Sequence, residues 1–159
     1  MTLARKFCIL IITGIFLVAG CGYRFVGAYR GEGFSLDYVK NTTQQPRLGV
    51  VFEDALAEEA GLIRKEGRKK LAVVVDSFSD EAESVSAVGT PLRQKLTINI
   101  QWRVLSELGD ISQNGKVSRS RTYPHYTDPV SLDWQRNAAI KKLARDIVRE
   151  LFDQLGGSD

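Results

Sequence analysis

The chain offers few side chains that could carry out catalysis or hold a metal ion. Its 159 residues include one histidine and two cysteines, whereas zinc sites draw on several such ligands. The histidine, His125, stands between Pro124 and Tyr126, and the sequence contains no Gly-x-Ser-x-Gly element that would present a serine nucleophile. The acidic stretch from Asp80 to Glu83 lacks the alternating carboxylates and the glycine of a calcium loop. We therefore predict no catalytic residue and no metal site.

Cationic residues on two successive predicted strands are the strongest candidates for ligand binding. The arginine fork of N–H donors matches a phosphate group, so a cluster of such residues would suit a polyanionic lipid headgroup. Pairing of the two strands would gather these charges, with Arg119 and Arg121 on one face because of their odd spacing. The alternative is an ordinary charged sheet face that contributes only solubility. The candidates are Arg93, Lys95, Arg103, Lys116, Arg119 and Arg121.

The first twenty residues have the pattern of a secretory signal peptide. Arg5 and Lys6 precede an uncharged apolar run from Phe7 to Ala19. This run is shorter than the ~20 residues that a membrane-spanning helix needs, and its length is typical of the apolar segment of a signal. We predict that residues 1–20 are removed, so that Cys8 is lost with them.

The end of this run resembles the lipobox of bacterial lipoproteins. It reads Val18-Ala19-Gly20-Cys21, although the lipobox prefers leucine where Val18 stands. The resemblance implies that Cys21 becomes the new N-terminus and carries acyl chains such as palmitate, which together form a stable membrane anchor. Gly22 follows the cysteine, and by the sorting rule of enteric bacteria glycine here implies export to the outer membrane. The alternative is a chance cysteine after a membrane-spanning segment.

The charge of the chain gives no support for a nucleic-acid partner. The formal net charge is +3, and loss of Arg5 and Lys6 with the signal would leave +1. A binding site for nucleic acid needs a marked basic excess, and an envelope location would also separate the protein from such a partner.

The hydrophobic pattern predicts one compact domain after a short tether. The chain is 43% hydrophobic, which excludes a disordered chain. We assign residues 21–33 to a lipidated tether and residues 34–159 to a single domain. Alternation predicts a strand at 34–39, and apolar residues at three- and four-residue spacing predict a helix at 46–60.

The second half of the domain predicts a long hairpin followed by a helix. A β-branched strand at 71–75 runs on into an acidic edge or hairpin, and residues 92–104 alternate apolar and polar over their full length. Asn114-Gly115 predicts the next turn, with a return strand at 116–123. Ser131 or Asp133 is expected to cap the last helix, with Trp134 and Ala138 on its apolar stripe. This order predicts an α+β two-layer sandwich, with two α-helices on one face of a mixed sheet of about four strands.

The whole chain resembles the LptE family of lipopolysaccharide-assembly lipoproteins. The features that carry the resemblance are the lipobox with Cys21-Gly22-Tyr23-Arg24-Phe25, a strand that ends in Asn41-Thr42-Thr43, an amphipathic first helix, a long middle hairpin, and a last helix with Asn137-Ala138-Ala139-Ile140 and Leu143-Ala144.

The resemblance implies a lipoprotein that is not an enzyme and that lies on the periplasmic side of the outer membrane. Family members plug the lumen of the LptD β-barrel, help it assemble, and bind lipopolysaccharide during its insertion at the cell surface. No cofactor is implied beyond the covalent lipid on Cys21. No family binding residue transfers to this sequence, so the six cationic candidates rest on charge placement alone.

Two other functions remain open on the sequence. The chain could serve another envelope or secretion machine as an accessory lipoprotein, or it could be a periplasmic hydrolase or ligand-binding lipoprotein. A deep apolar pocket would favour the periplasmic protein. A convex domain with polar flanks would favour a plug.

Overall fold

The computed structural model describes residues 34–61 and 69–156. The predicted signal peptide, Cys21 and the predicted tether lie outside these residues. Within them the chain forms, in order, the six elements β1 (Phe34–Asn41), α1 (Leu48–Ala60), β2 (Lys69–Val85), β3 (Pro91–Leu105), β4 (Ile111–Pro124) and α2 (Pro129–Gly156).

The four strands form one mixed sheet in the order β1-β2-β3-β4. β1 pairs with β2 in parallel, and the other two pairings are antiparallel. Both helices pack on the same face of the sheet. The prediction of an α+β two-layer sandwich with two helices on a mixed four-stranded sheet is confirmed.

The alternation of β3 determines which face of the sheet is buried. Its even-numbered residues from Leu96 to Val104 are buried beneath the helices, as predicted. Residues paired across a sheet lie on the same face, so this face also holds Val73 and Val75 of β2 and Val117 of β4. The helices supply the rest of the core, with Phe52 and Leu56 from α1 and residues from Ile140 to Leu155 from α2.

The predicted position of the β3–β4 turn was wrong. Asn114 and Gly115 lie inside β4, and the turn spans residues 106–110, where Gly109 has φ 84°. Gly115 is required for packing, because a Cβ atom built there would lie 2.5 Å from Cζ2 of Trp102. The indole of Trp102 covers this glycine from the opposite strand, so Gly115 belongs to the core and forms no turn.

The predicted start of the last helix was also wrong. α2 begins at Pro129, and the preceding Asp128 accepts a hydrogen bond from the backbone N–H of Ser131 at 2.8 Å. This is an N-terminal cap followed by a proline in the first helical position. The hydrogen bonds from Ser131 lower the pKa of Asp128. Trp134 and Ala138 were also assigned to the wrong side of α2: they are exposed, because the helical period places them away from the buried stripe that begins at Ala139 and Ile140.

The sheet has two distinct ends, which we name here. The tether end is where β1 and β2 begin and where the β3–β4 turn lies, since Lys69 pairs with Phe34 and Lys70 pairs with Leu105. The far end holds the β2–β3 turn, the end of β4 and the start of α2, since Val85 pairs with Pro91 and the N–H of His125 donates to the carbonyl of Leu92. β3 has 15 residues, so the ends lie about 46 Å apart along this strand.

Candidate functional site

The face of the sheet opposite the helices, named here the open face, has an uncharged polar centre. Thr97 and Asn99 of β3 lie on this face, each between a serine of β2 and a serine of β4. Thr97 and Ser120 share a hydrogen bond of 2.9 Å between their hydroxyl groups. The amide Nδ2 of Asn99 donates to the hydroxyl of Ser77 at 2.5 Å. The centre of the open face therefore suits a polar partner.

Four of the six candidate cations lie on the open face, in two separate pairs. Arg93 and Lys95 stand near the far end, and Arg103 and Lys116 stand near the tether end. Lys95 and Arg103 are eight residues apart on one strand, which places their backbones about 26 Å apart. These four side chains are exposed, and none of them takes part in the ion pairs found within residues 34–61 and 69–156.

The other two candidates, Arg119 and Arg121, lie on the helix face of the sheet. They pair with Ile98 and Leu96, which are core residues. Arg119 Nε donates to the carboxylate of Glu150 on α2, and Arg121 Nη2 donates to Oδ2 of Asp146 at 3.1 Å. Their shared face was predicted correctly. The predicted single cluster was wrong, because these two arginines point toward α2 and already have carboxylate partners.

A polar network near the far end was not predicted from the sequence. The carboxylate of Asp80 accepts a hydrogen bond from the hydroxyl of Tyr123 at 3.0 Å and another from Arg136 Nε at 2.7 Å. The Arg136 guanidinium also lies 5.6 Å from the ring centroid of Phe78. Burial of Tyr123 and its contact with Asp80 raise the pKa of this hydroxyl above its usual value. The network joins β2, β4 and α2, so its first role is to hold the start of α2 on the sheet.

This network borders an open cleft of about 350 Å³. The side chain of Gln94 at its rim contacts Nδ1 of His125 at 3.2 Å. The cleft is open and is lined by polar and apolar groups in similar measure, which differs from the deep apolar pocket typical of a small-molecule site. Its lining consists of Asp80, Gln94, Tyr123, Pro129, Leu132, Asp133 and Arg136.

The far end also exposes several large apolar side chains. Trp134 on the first turns of α2 is 66% exposed, and Val88 in the β2–β3 turn is 86% exposed. Exposed apolar groups that share one end of a domain mark contacts with a partner or with an amphiphile. The helical spacing predicts Trp134 on the apolar stripe, so this surface was not predicted from the sequence. Its members are Val85, Val88, Leu92, Tyr126, Val130 and Trp134.

The part of the chain that the structure describes holds no group of His, Cys, Asp and Glu side chains arranged to bind a metal ion. Among the same residues, neither helix has the length and apolar character needed to cross a bilayer.

Comparison with known proteins places the chain in a family. Residues 32–155 match the LptE family, described as lipopolysaccharide-assembly proteins. The chain belongs to this family. The matched region includes all four strands and both helices except Gly156, the last residue of α2. A search of curated proteins at the level of the whole sequence finds no match.

Solved structures share the LptE fold at low sequence identity. A candidate lipoprotein from Caulobacter crescentus CB15 has 17% identity and a TM-score of 0.57, over 74% of this chain and 86% of that one. The rare lipoprotein B of Shewanella oneidensis has 13% identity and a TM-score of 0.55, over 78% of this chain and 95% of that one. Lipoprotein B of Nitrosomonas europaea has 16% identity and a TM-score of 0.52, over 77% of this chain and 82% of that one. At these identities the likeness supports the fold alone.

Proposed function

We propose that this LptE-family protein is a lipoprotein of the outer membrane, anchored through Cys21 on the periplasmic side. It plugs an LptD-type β-barrel, assists the assembly of that barrel, and takes part in the transport and insertion of lipopolysaccharide. The observation that carries the proposal is the family match over residues 32–155. The protein acts by binding and carries out no catalysis.

The surface of the domain fits a plug. The open face is polar and largely uncharged at its centre, and the lumen of a large outer-membrane barrel is polar as well. Two packed layers with a buried core give a compact body that can occupy such a lumen. Inside a barrel, the polar side chains of the open face could therefore replace their contacts with water by contacts with the barrel wall.

The far end has the chemistry that lipopolysaccharide requires. This ligand combines phosphate groups with acyl chains, so its site needs cations beside apolar side chains. Arg93 and Lys95 provide the cations, and the exposed Leu92 and Val85 lie at the same end of the sheet. Of the six candidates, this pair has the best placement, since Arg119 and Arg121 have carboxylate partners on α2.

Co-purification tests the barrel partnership. Tagged full-length protein, extracted from outer membranes in mild detergent, is expected to bring down a large β-barrel in stoichiometric amount. Recovery of the lipoprotein without a barrel contradicts the proposal, and recovery of a different envelope complex favours an accessory of another machine.

A cysteine variant tests the anchor. Cys21→Ala is expected to abolish metabolic labelling with palmitate and to leave the protein unprocessed, since the lipobox cysteine is both the cleavage site and the acyl acceptor. Cys8→Ala is the matched control and should be labelled and processed as the native chain is. Persistent labelling of Cys21→Ala would mean that the anchor lies elsewhere.

A further inference from the structure

We propose that the tether end of the domain makes a second contact with the membrane, in which Leu108 and Ile111 enter the headgroup region of the leaflet that holds the lipid anchor. The inference rests on the proposed lipidation of Cys21, and it adds a defined surface through which the folded domain itself meets the bilayer.

The first observation is an apolar tip on the β3–β4 turn. Leu108 is 90% exposed at the apex of this turn and Ile111 is 52% exposed where β4 begins. The N–H of Ser106 donates to the carbonyl of Asp110 at 2.9 Å, and Gly109 adopts φ 84°, so the turn is closed and holds Leu108 outward. An interfacial contact needs this kind of apolar group, presented on a short rigid projection.

The second observation is where the chain enters the domain. Phe34 begins β1 at the tether end, and 12 residues separate it from Cys21. Even fully extended, the 13 Cα–Cα steps from Cys21 to Phe34 span at most about 47 Å, which is about the length of the domain along β3. The chain therefore connects the anchor directly to the tether end, whereas the far end lies a further domain length away along β3.

The third observation is the charge of the same end. Arg103 and Lys116 stand there on the open face, and Lys69 and Lys70 begin β2. All four are exposed. The turn itself carries the acids Glu107 and Asp110, so these four cations outnumber the acids of the turn by four to two. Basic side chains near the apolar tip of the β3–β4 turn would attract anionic headgroups.

The β2–β3 turn at the far end provides a matched control within the same molecule. The two turns share the pattern Ser-x-(Val or Leu)-Gly, with Val88 in the place of Leu108 and Gly89 in the place of Gly109. Val88 is 86% exposed, close to the value for Leu108. The two positions therefore differ in their distance from the anchor more than in local structure.

The test uses single cysteines in the acylated mature chain. Leu108→Cys and Val88→Cys are each labelled with an environment-sensitive maleimide fluorophore, and the proteins are reconstituted into vesicles of phosphatidylethanolamine and phosphatidylglycerol. We expect the label at position 108 to shift its emission to shorter wavelength and to lose its quenching by aqueous iodide. The label at position 88 should keep its emission and its quenching. Replacing phosphatidylglycerol by phosphatidylcholine should reduce the shift at 108.

Three results would overturn the inference. The first is full iodide quenching of the label at position 108 in vesicles, and the second is equal shielding of the labels at positions 108 and 88. The third is shielding at position 108 that appears only when a barrel partner is added, because the tip would then contact protein and not lipid. The unsubstituted chain separates the inference from the proposed function. If that chain takes up the maleimide label, Cys21 is free and the anchor proposal has failed, whereas a vesicle-bound and unlabelled chain leaves the anchor intact.

Discussion

A glycine in the middle of a strand shows at the residue scale how closely this sheet is packed. The indole of Trp102 lies directly over Gly115 and donates a hydrogen bond of 3.2 Å to Oε1 of Gln154 on α2. The ring is only 5% exposed, so it has little room to withdraw. A side chain at position 115 would have to displace the ring from both the core and its hydrogen bond.

We therefore expect Gly115→Ala to lower the free energy of unfolding by about 1–3 kcal/mol, the usual cost of overpacking a core. Urea denaturation followed by circular dichroism measures this change. The control is Gly49→Ala in α1, where the new Cβ would lie 3.6 Å from Cβ of Asn41 and should be neutral or slightly stabilising. Equal midpoints for Gly115→Ala and the native chain would contradict the packing argument.

Because of the Tyr123 hydroxyl, the stability of the fold is expected to change with pH in the alkaline range. Its folded-state pKa is raised above the usual 10.0, first by burial and then by its hydrogen bond to Asp80. The folded state therefore holds the proton more tightly than the unfolded state, so this contribution is full below pH 10 and decreases as the pH rises above it.

We expect Tyr123→Phe to unfold about 1–2 kcal/mol more easily at neutral pH, because a hydrogen bond to a carboxylate is lost. Between pH 9 and 11 the variant should lose stability less steeply than the native chain. Urea midpoints are measured for both proteins across this range. Lysines and the other tyrosines titrate in both proteins, so the difference between the two curves removes their contribution. Parallel pH curves would show that Tyr123 does not titrate with unfolding.

At the scale of elements, the position of the β3–β4 turn determines which face of the sheet each basic residue of β4 occupies. The alternation of β3 correctly predicted its buried face, because a strand with a period of two has only one way to bury its apolar side. The register of β4 could not be predicted, since Asn114-Gly115 carries a strong turn signal and nothing in the sequence shows that Trp102 needs a glycine opposite it. The observed register pairs Arg119 with Ile98 and thereby turns it toward α2.

Two further features were not predicted from the sequence: the N-terminal cap of α2 and the polar network around Asp80. Asp128 and Ser131 are both good capping residues, and the local signal that distinguishes them is Pro129, because proline favours the first helical position and so places the cap at Asp128. Asp80 and Arg136 are 56 residues apart, so no local pattern could have joined them. The sequence therefore determines the elements and their buried faces, and the contacts between elements decide where the charges lie.

The ion pairs between β4 and α2 predict that these arginines support the fold. In Arg121→Glu the new carboxylate would face Asp146, so we expect a loss of about 1 kcal/mol in the free energy of unfolding. Asp146→Arg alone should give a similar loss. The double variant should recover part of it, which a double-mutant cycle at low salt measures. Strictly additive losses would show that the pair contributes no coupling.

At the scale of the whole molecule, the cations on the open face are divided between two ends with different surroundings. The far pair, Arg93 and Lys95, shares its end with the exposed apolar side chains, whereas Arg103 and Lys116 stand at the tether end. If the far end binds lipopolysaccharide and the tether end meets the membrane, the two pairs must respond differently to the same change of charge. In that case the proposed ligand site and the proposed membrane contact lie about one domain length apart.

This division gives a matched pair of variants. Arg93→Glu with Lys95→Glu should weaken lipopolysaccharide binding roughly tenfold at low ionic strength, because two charge-assisted contacts to phosphate become repulsive. Arg103→Glu with Lys116→Glu carries the same change in net charge and should leave that affinity within about twofold at an ionic strength of about 0.1 M, where the roughly 26 Å between the two pairs exceeds the screening length of about 10 Å. Titration of both purified variants with lipopolysaccharide, repeated at high salt, makes the comparison. An equal loss in the two variants would mean that only net charge matters, and an unchanged affinity in the first would remove the far pair as the binding site.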